Sequence, residues 1–290
     1  MRRIKGVVGF RKVLRVSVIL LFLFSLMRSY AGADENSVAG RKILEQYQNG
    51  LVSLKTVAKV RMIAGGKEQF NKEIEAVSTA TVINPSGLAV TSASAINPGE
   101  VLEKTMKNVS ARAGQGNADI TFNIELLSIS MVLPDGKEVP GGIVLRDKDL
   151  DLAFLRPTKK LGAPVFAFDL SQAGSVNTLD PIVILNLLPK EYYGRKPIVA
   201  LDRIAAVVEK PTKFYVPNDQ RSIKLGVPVF NLDGKIVGIM ATQIPNAAPV
   251  GTALEQMLVL ANDTAGGLVV IVPAADILEL TKQIPAPEPK

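Results

Sequence analysis

The chain has 290 residues, with 34 Lys+Arg against 27 Asp+Glu, and contains neither cysteine nor histidine. Without cysteine there are no disulfides, thiol nucleophiles, thiolate metal sites or lipid-modified N-terminal cysteine. Without histidine the commonest general base and metal ligand is missing, so every Ser-His-Asp, Cys-His or His-ligated zinc mechanism is excluded by the count alone.

The formal charge of +7 is concentrated at the start. Arg2, Arg3, Lys5, Arg11, Lys12 and Arg15 precede an apolar run from Val16 to Met27, and Ala31-Gly32-Ala33 follows. A basic head, a short apolar body and an A-x-A end predict a secretory signal over residues 1–33, and therefore a secreted or periplasmic protein. An uncleaved membrane anchor is the alternative, although a run of roughly a dozen residues is short for a bilayer. Those six residues and Arg28 are the only charged side chains before Asp34, so the remainder carries 27 of each sign. A neutral body of this kind makes no case for nucleic acid binding.

Residues 34–50 predict a short helix, capped by Ser37, with Ile43, Leu44 and Tyr47 on one face and Asn49-Gly50 at its end. Leu51 to Met62 is a first strand, although its apolar residues do not hold strict period two. Gly65 to Lys72 reads as a polar loop. Glu75 to Ser92 is a hairpin turning at Asn84-Pro85-Ser86-Gly87, with Pro and Gly where a tight turn wants them. Residues 99–121 are charged, then Gly-rich. Gly114-Gln115-Gly116 has neither the preceding strand nor the following Lys-Ser/Thr of a phosphate loop.

A third hairpin, Ile124 to Val139, turns at Leu133-Pro134-Asp135-Gly136. Gly142 to Arg146 leads into a strand over Asp147–Leu155 that ends at Arg156-Pro157, and Thr158 to Pro164 is a linker. Further strands are expected at Val165–Phe168, Pro181–Leu187, Ile198–Val208, Thr212–Val216 and Gly266–Val272. A hairpin over 229–239 turns at Asn231-Leu232-Asp233-Gly234. A helix beginning near Pro273 is followed by a disordered tail, 285–290. Many short strands with helices only at the ends predict an all-β protein of two barrels, one over 51–160 and one over 161–284 with the C-terminal helix.

Three segments, in order, resemble the trypsin-like (chymotrypsin-fold) serine proteases of the HtrA/Deg type. Ala80 to Ile96 is similar to their strand-turn-strand leading to the catalytic histidine, and Ser94 stands at the histidine position. Asp147-Lys-Asp-Leu-Asp-Leu-Ala-Phe-Leu is similar to the segment whose second aspartate orients that histidine, here Asp151. Ser222 to Ile239 resembles G-N-S-G-G-P and its hairpin, with Leu225 at the nucleophile position and Val227 at the second glycine. The resemblance implies two six-stranded barrels with a cleft between them.

It also implies a triad reduced to Ser94, Asp151 and Leu225, without catalytic residues. A hydroxyl does not titrate near neutral pH, and a leucine offers no nucleophilic atom. Lys224, Leu225, Gly226 and Val227 are left as the remains of the nucleophile and oxyanion loop, and as a candidate binding segment. The expected role is a non-catalytic pseudoprotease that binds an extended peptide or an envelope protein, with no cofactor and no metal; self-association into a homo-oligomer is a further expectation. The alternatives are an endopeptidase of unrecognised mechanism, such as a Ser-Lys dyad of Ser222 or Ser94 with Lys224, and a structural subunit of an envelope complex. A calcium-like set at Asp147, Asp149 and Asp151 lacks the loop and glycine that such a site needs. The sequons at Asn108 and Asn262 are no more than chance matches.

Overall fold

The computed structural model describes residues 35–99, 120–188, 194–220, 225–243 and 268–286. The expected signal segment, the Gly-rich stretch with Gly114-Gln115-Gly116 and most of the tail lie outside these residues. So do both sequons, Ser222 and Lys224.

Helix α1 spans residues 35–47 and ends in a 3-10 turn, Gln48–Gly50. It is already running at residue 35, so Ser37 lies inside the helix and does not cap it. Ile43 is buried, and Tyr47 stacks on Phe230 with ring centroids 5.0 Å apart while touching Phe166 and Phe168. The Tyr47 hydroxyl donates to the Gly234 carbonyl. Gly50 makes this docking feasible, since a Cβ there would sit 2.3 Å from the Phe168 ring.

Two closed six-stranded antiparallel barrels follow, and this is the chymotrypsin-like fold. In the first, β1 (Leu51–Ala64), β2 (Lys67–Val82), β3 (Ala89–Ser92), β4 (Ile120–Val132), β5 (Glu138–Asp147) and β6 (Leu152–Pro157) close in the order β1-β2-β3-β6-β5-β4. A four-residue helix α2, Ala93–Ile96, follows β3. The second barrel comprises β7 (Pro181–Leu187), β8 (Pro197–Val208), β9 (Phe214–Pro217), β10 (Pro228–Phe230), β11 (Ile236–Gln243) and β12 (Leu268–Pro273). Its order is β10-β11-β12-β9-β8-β7. Helix α3, Ala274–Thr281, then buries Ala274 and Ile277.

Each barrel has its own interior: Leu54, Val82 and Leu155 in one, Ile182, Val229 and Met240 in the other. A third core lies where they meet, built from Leu51, Val90, Phe154, Leu185, Phe230 and Ile277, among others. Arg195 adds a polar tie. Its guanidinium donates to Ser53 Oγ, the Val132 carbonyl and the Leu133 carbonyl of the first barrel. Burial holds its pKa below the ordinary guanidinium value, with the Asp135 carboxylate opposing that shift.

Three further sequence expectations are corrected. The polar stretch 65–72 is not a loop: only Gly65 and Gly66 turn, both at positive φ, and β2 already begins at Lys67. Its side chains are polar because that end of β2 is exposed over most of its length. Asp147 ends β5 and residues 148–151 are not strand but the turn to β6, over which the Asp147 carboxylate accepts from the Leu150 amide and Asp151 adopts φ 54. Residues 165–168 form no strand. Their amides find isolated partners, Val165 on the Pro85 carbonyl and Phe168 on the Val82 carbonyl, and the apolar side chains serve α1 and the barrels.

Candidate functional site

The turn before β6 and the end of β3 deliver Asp151, Ser92 and Ser94 to one point at the barrel junction. Asp151 is almost fully buried, and its carboxylate has a complete set of donors. Oδ1 accepts from the Ser94 amide at 2.8 Å and the Ser94 hydroxyl at 2.6 Å. Oδ2 accepts from the Ser92 hydroxyl, the Thr242 amide at 2.9 Å and the Thr242 hydroxyl at 2.8 Å. A buried carboxylate is tolerated only when its lone pairs are satisfied, and five donors achieve that here. Positive φ at Asp151 is one reason the position suits Asp, which enters that region more readily than most side chains.

The Ser94 hydroxyl is committed to Asp151 and lies 3.3 Å from Thr242 Oγ1, whose hydroxyl donates to it. Ser92 and Thr242 complete the cage, and neither carries a sequence signal of that role. Ser92 is two residues from Ser94 in Thr-Ser-Ala-Ser, a spacing that pointed only to strand end. Thr242 is 91 residues from Asp151 and becomes its neighbour through the run of β11 past the junction.

The second segment is the turn entering β10. Leu225 is half-buried; Gly226 and Val227 are buried. Gly226 has φ 80, and a Cβ there would lie 2.1 Å from Thr91 Oγ1 and 2.3 Å from the Thr79 carbonyl. Both conditions demand glycine. Its carbonyl accepts from Thr81 Oγ1 of the first barrel, while its amide donates to the Met240 carbonyl. That amide is therefore spent within the fold and does not point at a substrate. Val227 has no exposed surface and belongs to the second barrel's core, so its side chain lines no groove. Of the candidate binding segment, only Leu225 presents a partly exposed side chain among the described residues.

The structure thus brings Ser94 and Asp151 into direct contact and holds Gly226 against the same barrel wall through Thr81 and Thr91. Asp147, Asp149 and Asp151 do not converge; among the described residues no set of three or more Asp, Glu, His or Cys is arranged to hold a metal. A depression of about 370 Å³ between the Asn84–Gly87 turn, Phe168 and α3 includes none of Ser94, Asp151 or Leu225. No described helix is long and apolar enough to cross a membrane.

A search of curated proteins gives no match. Among solved structures the chain is similar to the HtrA-type protease AlgW with a decapeptide, at 16% identity and a TM-score of 0.48 over 84% of this chain and 65% of that one. The same protease with a tripeptide gives 17% identity and a TM-score of 0.47, covering 83% and 62%. The MamO protease domain from Magnetospirillum magneticum, in its apo form, gives 14% and 0.46, covering 80% and 95%. The chain thus spans less than two thirds of the AlgW chains. The sequence pattern of the trypsin-like peptidase domain matches residues 78–239, from the second half of β2 to β11. The chain belongs to the trypsin-like peptidase domain family.

Proposed function

We propose that this chain is an exported, non-catalytic member of its family that binds an extended peptide or an envelope protein. The observation that carries the reading is the cage around Asp151. In a working triad that carboxylate orients an imidazole, which takes the nucleophile's proton. Here its five hydrogen bonds all go to Ser92, Ser94 and Thr242, and the sequence contains no histidine to displace them. Leu225 at the nucleophile position supplies no attacking atom.

Removal of a triad costs on the order of a millionfold in turnover, which leaves binding as the property a retained scaffold serves. Strand addition suits such a scaffold, because main-chain hydrogen bonds supply affinity and side-chain pockets supply selectivity. Leu225 makes the turn apolar where a hydroxyl stands in active relatives, which favours apolar side chains in the bound segment. The test is fluorescence anisotropy with labelled extended peptides and with reduced, unfolded casein. Saturable binding that Leu225→Asp weakens is expected. An absence of binding to these probes, together with no partner recovered from the native envelope, would overturn the reading.

A further inference from the structure

Strands β1, β2 and β4 run well past the first barrel. The ladder on β1 continues to Ala64, with Lys67 opposite on one side and Ile120 on the other. Yet β3 takes up β2 only at Thr81 and Val82, and β5 takes up β4 only over Ser130–Val132. The outer parts of the three strands form a ribbon with β1 at its centre and, among the described residues, two unpaired edges.

Cross-strand partners share a face, so the registers sort the side chains. One face carries Val60, Met62, Phe70, Ile74, Phe122 and Ile124, with Lys72 as its one charge; the other carries Lys59, Arg61, Asn71, Glu73, Asn123 and Glu125. Ile74, on the apolar face, is 41% exposed. Such a ribbon has apolar surface beyond what a barrel wall needs.

The two edges differ in chemistry. On β2, Lys67, Glu68, Lys72, Glu73 and Glu75 crowd the edge, and Lys72 opposes Val60 on the apolar face itself. Charged edges and a charge set within the apolar face disfavour pairing there. On β4, Thr121-Phe122-Asn123-Ile124-Glu125 carries one charge. We infer that β4 is a self-association edge, on which two copies pair antiparallel about a two-fold axis at Asn123.

In that register Phe122 lies opposite Ile124 of the partner subunit on the apolar face. Thr121 lies opposite Glu125 of the partner subunit on the polar face, and Asn123 opposite Asn123 of the partner subunit. No like charges meet. The pairing stays within the regular stretch, before the irregularity between Leu126 and Ser128 where the β1–β4 register shifts. It satisfies exposed main-chain groups and joins two apolar ribbon faces into one six-stranded sheet. It does not depend on what the barrel junction binds.

The cysteine-free chain allows a direct test. In Asn123→Cys, oxidation should link two copies across the two-fold axis, while Asn71→Cys on β2 should stay unlinked. In light scattering, Asn123→Lys should weaken the dimer at least about fivefold by apposing like charges, whereas Thr121→Lys, which meets Glu125 of the partner subunit, should keep it. All four positions or partners lie on the polar face, and circular dichroism checks that the variants fold. A monomer at all concentrations, equal cross-linking at 71 and 123, or a dimer indifferent to Asn123→Lys would overturn the inference.

Discussion

Asp151 and Gly226 stand on opposite barrels, and each leans on the other's barrel by opposite means. Asp151 reaches from the first barrel to Thr242 of the second with a charged side chain. Gly226 reaches from the second barrel to Thr81 of the first through its carbonyl, and is able to do so because it has no side chain. Both belong to segments that resemble catalytic ones, and both are held by what they do for the fold. Between them lie Ser94 and Leu225, which the resemblance sets at the histidine and nucleophile positions; in the proposed reading neither does that chemistry. Asp151 and Gly226 are thus residues that the barrel junction needs for its own packing and hydrogen bonding.

The comparison predicts a ranking of stabilities. Gly226→Ala should be the most damaging change, destabilising by about 3 kcal/mol or more, because it adds a clash at 2.1 Å to an unfavourable φ. Thermal and urea denaturation measure it directly. Asp151→Ala should come next, at about 3 kcal/mol, since it strands five donors, one of them buried and four partly buried. Asp151→Asn keeps the shape and one acceptor oxygen, and should cost distinctly less. If the two substitutions at 151 were equivalent, the carboxylate's hydrogen bonds would not be what retains it. Ser94→Ala should cost about 1 kcal/mol, because Asp151 keeps four of its donors. Leu225→Ser should change stability by less than about 1 kcal/mol, as befits a half-buried turn residue.

Much of the fold was legible because turns carry local chemistry. Asn84–Gly87, Leu133–Gly136 and Asn231–Gly234 each place glycine at positive φ, and each was found from sequence alone. Strands lacking a burial pattern were harder. The outer half of β2 is polar on both sides of its alternation in most places, so Lys67–Lys72 looked like a loop. Over 147–151 the alternation of Asp with other residues imitates period two, although the strand stops at Asp147 and 148–151 turn. Val165–Phe168 had the apolar density of a strand, but buries its side chains without a ladder. Ser94, Asp151 and Leu225 are singled out in the sequence by their place in ordered segments, and the structure joins the first two by hydrogen bonds. Ser92 and Thr242 escaped because a hydroxyl in a β-rich sequence carries no mark of the carboxylate it will meet.

The central claim is that the scaffold persists without the chemistry. Hydrolysis of a fluorogenic peptide library by the purified chain tests it most directly, with Ser222→Ala, Ser94→Ala and Lys224→Ala run in parallel. The account predicts turnover equal to the buffer blank for all four proteins. Turnover above the blank that is lost in any of these variants would contradict it.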